Sequence, residues 1–262
     1  MNRKVLFFDI DGTLITNDER KIFPDDTREA LRLAKAAGHL LFINTGRVYI
    51  NVEDYIKADF DGLVMGCGTH IVYKDEELFY RTLPREECFR IAKLCRECKM
   101  YGAFEKSDRI SIDMAMKDIE KIPIFEFFLS TDRRIEKDIY SDEFTFDKFA
   151  VWYDAESDRA RFIKAMEKDY TIIDREGDFY EVVTKGFSKA TGIEYVLRHF
   201  NIAKEDSFVF GDSNNDIEMM EYAGHSIAMG NATEECKEKA SYITGDILEH
   251  GIYDAMKFYS LI

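Results

Sequence analysis

Short apolar runs alternate with amphipathic stretches over the first eighty residues. Lys4 to Ile10 is a continuous run rich in β-formers, which predicts a strand buried on both faces of a parallel sheet. It stops at Asp11-Gly12. Asp25, Asp26 and Thr27 are N-cap candidates for a helix whose apolar stripe is Ala30, Leu31, Leu33 and Ala34 and whose stop is Gly38. His39 to Asn44 predicts a second buried strand, Val48 to Lys57 a helix, and Gly62 to Met65 a third strand. Strand, helix, strand, helix, strand is the signature of an α/β sheet.

The pattern then changes. Ile71 to Tyr73 and Leu78 to Tyr80 flank Lys74-Asp75-Glu76, which predicts a hairpin instead of another crossover. Pro84 opens a helix to about Lys99. Ile110, Ile112, Met114 and Met116 alternate with Ser111, Asp113 and Ala115, the period of a strand with one exposed polar face. Lys148 to Tyr153, Glu156 to Lys168, Tyr170 to Asp174 and Phe179 to Val183 read as strand, helix, strand, strand. After Lys185 the first pattern resumes, with helices at Lys189 to Phe200, from Asp216, and at Thr233 to Ala240, and strands at Ser207 to Phe210 and Ser226 to Met229. The expectation is a discontinuous α/β core, residues 1–82 and 183–262, interrupted by an α+β module at 83–182.

Composition narrows the chemistry. With 51 acidic against 36 basic residues the chain carries a formal charge of −15, so it offers no general attraction to nucleic acid or to an anionic membrane. The acidity is spread, about −6 within residues 83–182 and about −9 outside them, so no acidic tail is present. Five cysteines without a regular framework fit a reducing, cytoplasmic setting. The apolar run Val5 to Phe8 is too short for a signal-peptide core or a membrane span.

The strongest chemical signal is Asp9-Ile10-Asp11-Gly12-Thr13 at the end of the first strand. Residues i and i+2 of a strand share a face, so both carboxylates are expected together at the sheet's C-terminal edge, where open α/β sheets bind ligands. Their repulsion calls for a proton or a hard cation such as Mg²⁺. Asp212-Ser213-Asn214-Asn215-Asp216 follows another strand, and parallel packing would bring Asp9, Asp11, Asp212 and Asp216 to one edge. Thr45-Gly46-Arg47 follows the second strand and offers a hydroxyl, a backbone amide and a nearby helix N-terminus to a phosphate. Lys189 would set a positive charge over the same edge.

These four segments, in this order, resemble the motifs of the haloacid dehalogenase-like superfamily. Gly211 to Asp216 and Ala228-Met229-Gly230-Asn231-Ala232 resemble its Cof-type sugar-phosphatase group with a C2-type cap. The resemblance implies a Rossmann-like parallel-sheet core with an inserted α+β cap domain that selects substrate. It implies Asp9 as the nucleophile that becomes an aspartyl-phosphate and Asp11 as acid and base. Mg²⁺ would lie on the Asp9 carboxylate, the Asp11 carbonyl and Asp212, with Asp216 orienting that shell. Thr45, Gly46, Lys189 and Asn215 would hold phosphate, and Arg47 is a candidate substrate contact. The implied activity is hydrolysis of a small phosphorylated metabolite, a sugar phosphate foremost. A phosphomutase of the same superfamily, or a non-catalytic phosphosugar- or metal-binding regulator, are the alternatives. Cys67 departs from the group's usual Asn in Asn-Gly-Ala, which leaves local substrate contacts open. The oligomeric state is not readable.

Other signals read as structural. Cys88, Ile91, Ala92, Cys95 and Cys98 share one helical stripe, so Cys95-x-x-Cys98 is expected to pack and not to bind metal. The five histidines have no ligand spacing. Gly66-x-Gly68 lacks the third glycine of a dinucleotide fingerprint, because Ile71 stands there, and Phe125, Phe127 and Phe128 are expected in a core.

Overall fold

The computed structural model describes residues 3–74, 76–130, 134–175 and 177–262. The chain divides into two compact units, one of Met1–Arg47, Val52–Tyr80 and Phe187–Ile262, the other of Val48–Asn51 and Arg81–Gly186. The first unit begins with β1 (Val5–Phe8), α1 (Asp25–Ala36), β2 (Leu40–Asn44), α2 (Asp54–Lys57), β3 (Gly62–Met65), β4 (His70–Tyr73) and β5 (Glu76–Tyr80). The second unit supplies α3 (Arg85–Glu97), β6 (Tyr101–Lys106), β7 (Arg109–Ile112), α4 (Pro123–Ser130), β8 (Ile135–Glu136), β9 (Lys148–Trp152), α5 (Arg159–Met166), β10 (Tyr170–Asp174) and β11 (Phe179–Thr184). The first unit closes with α6 (Lys189–Phe200), β12 (Ser207–Gly211), α7 (Ile217–Tyr222), β13 (His225–Ala228), α8 (Glu234–Lys239), β14 (Tyr242–Ile243) and α9 (Gly251–Phe258).

The first unit is built on an eight-stranded sheet ordered β14-β13-β12-β1-β2-β3-β4-β5, parallel through β3 and antiparallel at the β4–β5 hairpin. Every residue of β1, β2, β3 and β12 is buried, as expected of parallel strands covered on both faces. One face packs Leu6, Phe8, Ile43 and Phe210 against Leu31 of α1 and Met256 of α9; the other packs Val5, Phe7, Phe42 and Val209 against Ile193 and Val196 of α6. Stacking of Phe8 on Phe210, with centroids 4.6 Å apart, ties β1 to β12 just below the loops that carry the acidic residues. The register Phe8↔Phe210 therefore sets Asp9 beside the loop that begins at Asp212.

The second unit is a six-stranded, mostly antiparallel sheet ordered β10-β11-β9-β6-β7-β8, with only the β7–β8 pair parallel. Cys88, Ile91, Ala92 and Cys95 of α3 join Phe104, Phe149 and Val182 of its strands in one core. Cys98 belongs to the same core, and all five cysteines are buried thiols. Among the described residues, no helix is long and apolar enough to cross a membrane.

Several expectations fail for local reasons. The helix expected over Val48 to Lys57 is broken into a 3₁₀ turn at Tyr49–Asn51 and the short α2, because Val48–Asn51 belongs to the second unit, where Ile50 N–H donates to the Ser107 carbonyl at 3.0 Å. The first α-helix after Thr45-Gly46-Arg47 therefore begins only at Asp54, with a 3₁₀ turn between. The strand expected over Ile110 to Met116 ends at Ile112, since Asp113 turns the chain by accepting Ala115 N–H on its side chain and Met116 N–H on its carbonyl. Its polar face is not exposed: Ser111 is buried, and buried Asp113 is neutralised by Arg96 at 2.5 Å. In α4, which the sequence reading missed along with β6, β8, β14 and α9, Phe125 is buried but Phe127 is exposed. The N-cap of α1 is Pro24, and Asp25 and Asp26 lie in the first turn, where they meet the positive end of the helix dipole. Asp75, in the expected hairpin turn, lies outside the described residues.

Candidate active site

β1 and β12 end side by side, and the loops that follow them interlock. Asp9 continues the ladder by donating its N–H to the Phe210 carbonyl at 3.0 Å, which fixes its Cα at the sheet edge. Gly12 has φ +82°, and a Cβ there would collide with the Asp212 carboxylate and lie 2.7 Å from the Asn17 amide nitrogen. A Cβ on Gly211 would sit 2.7 Å from the Asp216 carboxylate. Each loop thus carries a glycine where a carboxylate of the Asp212 to Asp216 segment must pass.

Carboxylate oxygens of Asp9, Asp212 and Asp216, all buried, lie within 4.8 Å of one another. One ammonium reaches two of the three. Lys189, the first residue of α6, is only 1% exposed and donates to Asp9 Oδ1 at 2.6 Å and to Asp216 Oδ1 at 2.5 Å. Its backbone is fixed by the capping box of Ser188 with Thr191 and by Asn44 Nδ2, which donates to the Lys189 carbonyl at 3.1 Å. Asp216 Oδ2 accepts the N–H groups of Asp212 and Ser213 at 2.9 and 3.1 Å, so this carboxylate shapes its own loop. Thr13 Oγ1 donates to Asp212 Oδ1 at 3.1 Å.

One ammonium does not satisfy three buried carboxylates. Burial, together with the charges of Asp216 and Asp11, pushes Asp9 up to about 7 against the pull of Lys189. Burial and the charges of Asp9 and Asp216 push Asp212 up to about 8. Lys189 itself is raised, because Asp216 and Asp9 outweigh the burial that would lower it. Such a cluster of hard oxygens suits a divalent cation.

Asp11 does not join this cluster, contrary to the expectation that its carboxylate would lie beside that of Asp9. β1 ends at Phe8, and the i, i+2 rule no longer holds in the turn that follows. The Asp11 side chain instead meets Arg47, whose Nε donates to Oδ2 at 2.8 Å and Nη2 to Oδ1 at 2.6 Å; Lys21 Nζ stands 3.3 Å from Oδ1. Burial alone would raise the Asp11 carboxyl, but the Arg47 fork and Lys21 outweigh it and hold it below the ordinary carboxylate range. The third Arg47 edge is taken, Nη1 donating to Glu53 Oε2 at 2.6 Å.

The remaining expected residues are placed as follows. Thr45 is buried, its N–H on the Val64 carbonyl and its Oγ1 accepting Arg47 N–H at 3.2 Å. Gly46 lies between them at the same strand edge. Asn215 Oδ1 accepts Ser213 Oγ at 2.8 Å and stands 3.5 Å from Lys189 Nζ. Cys67 adopts φ 54°, ψ 45° between two positive-φ glycines, a left-handed conformation that Asn takes more readily. Two residues were given no role by sequence reasoning. Asn231 joins three loops, Nδ2 donating to the Gly12 carbonyl at 2.7 Å and Oδ1 accepting Ile247 N–H at 3.1 Å. Glu53 lies in no motif. The signal for Asn231 was its place in Met229-Gly230-Asn231 after β13, parallel to the two acidic loops.

The chain is similar over nearly its whole length to known proteins. The chain is 30% identical to the subclass IIB sugar phosphatase BT4131, whose solved structure superposes with a TM-score of 0.84 over 99% of this chain and 100% of that one. A solved protein of Geobacillus kaustophilus HTA426 is 28% identical, with a TM-score of 0.86 over 100% of both chains. The 5-amino-6-(5-phospho-D-ribitylamino)uracil phosphatase YcsE of Bacillus subtilis (strain 168) is 27% identical over 98% of this chain and 96% of its own. The family model of the haloacid dehalogenase-like hydrolases matches residues 6–256. With that match across nearly its whole length, the chain belongs to the haloacid dehalogenase-like hydrolase family.

Proposed function

We propose that this protein is a Mg²⁺-dependent phosphatase that hydrolyses a small phosphorylated metabolite, a sugar phosphate foremost, through a phosphorylated Asp9. The observation that carries the reading is the buried trio Asp9, Asp212 and Asp216, of which Lys189 pairs with only Asp9 and Asp216. BT4131, a sugar phosphatase, and YcsE, which acts on a phosphoribitylamino uracil, support the substrate class.

Asp9 and Asp212, with the Asp11 carbonyl, are the oxygens that would hold Mg²⁺, and Asp216 would orient that shell through the Asp212 and Ser213 amides. The ion, when bound, supplies the positive charge that lets a phosphate dianion approach these carboxylates. Asp9 attacks phosphorus, and the bond from phosphorus to the leaving oxygen breaks. Lys189, Thr45, the Gly46 amide and Asn215 hold the transferring oxygens where negative charge develops. Asp11 gives a proton to the leaving alkoxide and then, as a carboxylate, takes one from the water that attacks the phosphoryl group on Asp9. The Arg47 fork favours the carboxylate form that the second step needs. An arriving phosphate dianion adds negative charge and so favours proton uptake for the first. Arg47 serves Asp11, and residues 83–182 supply the selectivity of a cap. The five buried thiols support a cytoplasmic location.

The test is a screen of phosphosugars, nucleotides and an aryl phosphate, with Mg²⁺ or excess chelator, on the wild type and Asp9→Asn. Phosphate release that needs Mg²⁺ and vanishes in folded Asp9→Asn is expected. Turnover by that variant, or undiminished turnover in chelator, would sink the proposal.

A further inference from the structure

Arg47 occupies an unusual place in the chain. It is the last residue of the first unit before the chain passes into the second for Val48–Asn51, and the chain is back in the first unit at Val52. Its backbone is pinned, its N–H on Thr45 Oγ1 at 3.2 Å and its carbonyl accepting Gly66 N–H at 2.9 Å. Its guanidinium must still be aimed, and a long side chain with four rotatable bonds is aimed only by what its planar head meets. One edge of that head is the fork on Asp11, at 2.8 and 2.6 Å. The opposite side, Nη1, is held by Glu53 at 2.6 Å, so the plane is fixed from both ends.

We infer that Glu53 is a positioning residue for the reaction: it aims Arg47, and Arg47 holds the Asp11 carboxylate where protons are exchanged with the leaving group and the attacking water. This rests on the phosphatase reading given above. The pair also closes the base of the excursion through Val48–Asn51, so the aim of Arg47 is set within the first unit. Glu53 is not buried and belongs to no motif; its side chain is 35% exposed, so its replacement leaves the core packing untouched.

Positional control has a kinetic signature that a general structural defect lacks. A proton donor matters most when the leaving group is a poor one, an alkoxide, and least for an aryl oxide. Glu53→Ala is therefore expected to lower kcat on an alkyl phosphate about tenfold, because small misplacements of an acid–base group are costly, while kcat on p-nitrophenyl phosphate falls less than about threefold. KM for both should stay within about threefold of wild type. Glu53→Gln, which keeps an oxygen acceptor at the same reach, should recover most of the alkyl rate. The ratio of the two rates does not depend on the fraction of enzyme that is folded, so partial misfolding cannot imitate the effect. Equal losses on both substrates, or no loss of kcat in Glu53→Ala, would overturn the inference. If the wild type hydrolysed neither ester, the phosphatase reading would fail instead.

Discussion

Replacing Lys189 with Met removes the ammonium from the centre of the site and keeps most of the aliphatic stem. Lys189 is 1% exposed and lies 2.6 and 2.5 Å from carboxylate oxygens of Asp9 and Asp216, so three buried carboxyls would be left with no positive partner among the contacts described. At an effective dielectric of about 20, each ion pair is worth roughly 6 kcal/mol gross, and the variant no longer pays several kcal/mol to desolvate the ammonium. What remains is of the order measured when one partner of a buried pair is deleted, about 3–5 kcal/mol. For a domain of this size that is a fall in Tm of roughly 6–20 °C. The assay is urea unfolding followed by circular dichroism, in chelator, at pH 7.5 and pH 5. The sign of the pH effect follows from Asp9 and Asp212: without Lys189 their raised pKa values rise further, the folded state binds protons that the unfolded state sheds, and acid favours the variant. The deficit should thus shrink at pH 5. A loss below about 1 kcal/mol at pH 7.5, with an unchanged slope on denaturant, would refute the claim that this ammonium holds the Asp9 and Asp216 carboxylates together.

Asp11→Asn should lose about 10² to 10⁴-fold in kcat on an alkyl phosphate and less on an aryl phosphate, with Mg²⁺ affinity little changed; a drop within about threefold would remove Asp11 from proton transfer. In metal-free protein, Asp9 and Asp212, raised to about 7 and about 8, bind protons in the folded state that they lose on unfolding, so their contribution to stability falls as pH rises from about 4 toward 8. Mg²⁺ competes with those protons, and the Tm increase it produces should grow from pH 5 to pH 8; an increase independent of pH would contradict these assignments. Replacing Cys95 and Cys98 with Ala should lower stability and leave kcat unchanged, because both thiols are buried in the core of the second unit; stoichiometric zinc lost on replacement would show otherwise.

The core fold was legible because its signals are local and redundant. Buried parallel strands such as Val5–Phe8 and Gly62–Met65 read as apolar runs, and α6 spans the residues Lys189 to Phe200 that the sequence pattern marked as a helix. The elements that were missed are those whose identity depends on tertiary partners. β14 is two residues long and exists through its pairing with β13. The helix expected over Val48 to Lys57 has adequate local propensity, yet Val48–Asn51 is claimed by the second unit. Asp113 carries the alternation of a strand, and its bond to Arg96 and its turn to Ala115 end that strand instead.

Legibility at the site divides along the same line. Order along the chain sufficed to bring Asp9, Lys189, Asp212 and Asp216 to one edge, because parallel strands β1 and β12 end together and each acidic loop starts where its strand stops. It did not suffice for Asp11. Two residues of spacing promise a shared face only while the backbone stays extended, and the strand ends at Phe8, so Asp9, Ile10 and Asp11 already lie in the turn beyond it. That turn gives different partners to two carboxylates that the sequence had placed side by side. The Asp9 carboxylate enters an environment short of positive charge, where a divalent cation and a phosphoryl group are the natural complements. The Asp11 carboxylate enters one supplied with two cations, Arg47 and Lys21, which hold it in the ionised form. The proposed mechanism asks different surroundings of two identical side chains, one as nucleophile and one as acid–base group, and the partners that set them, Lys189 for Asp9 and Arg47 with Glu53 for Asp11, come from different loops.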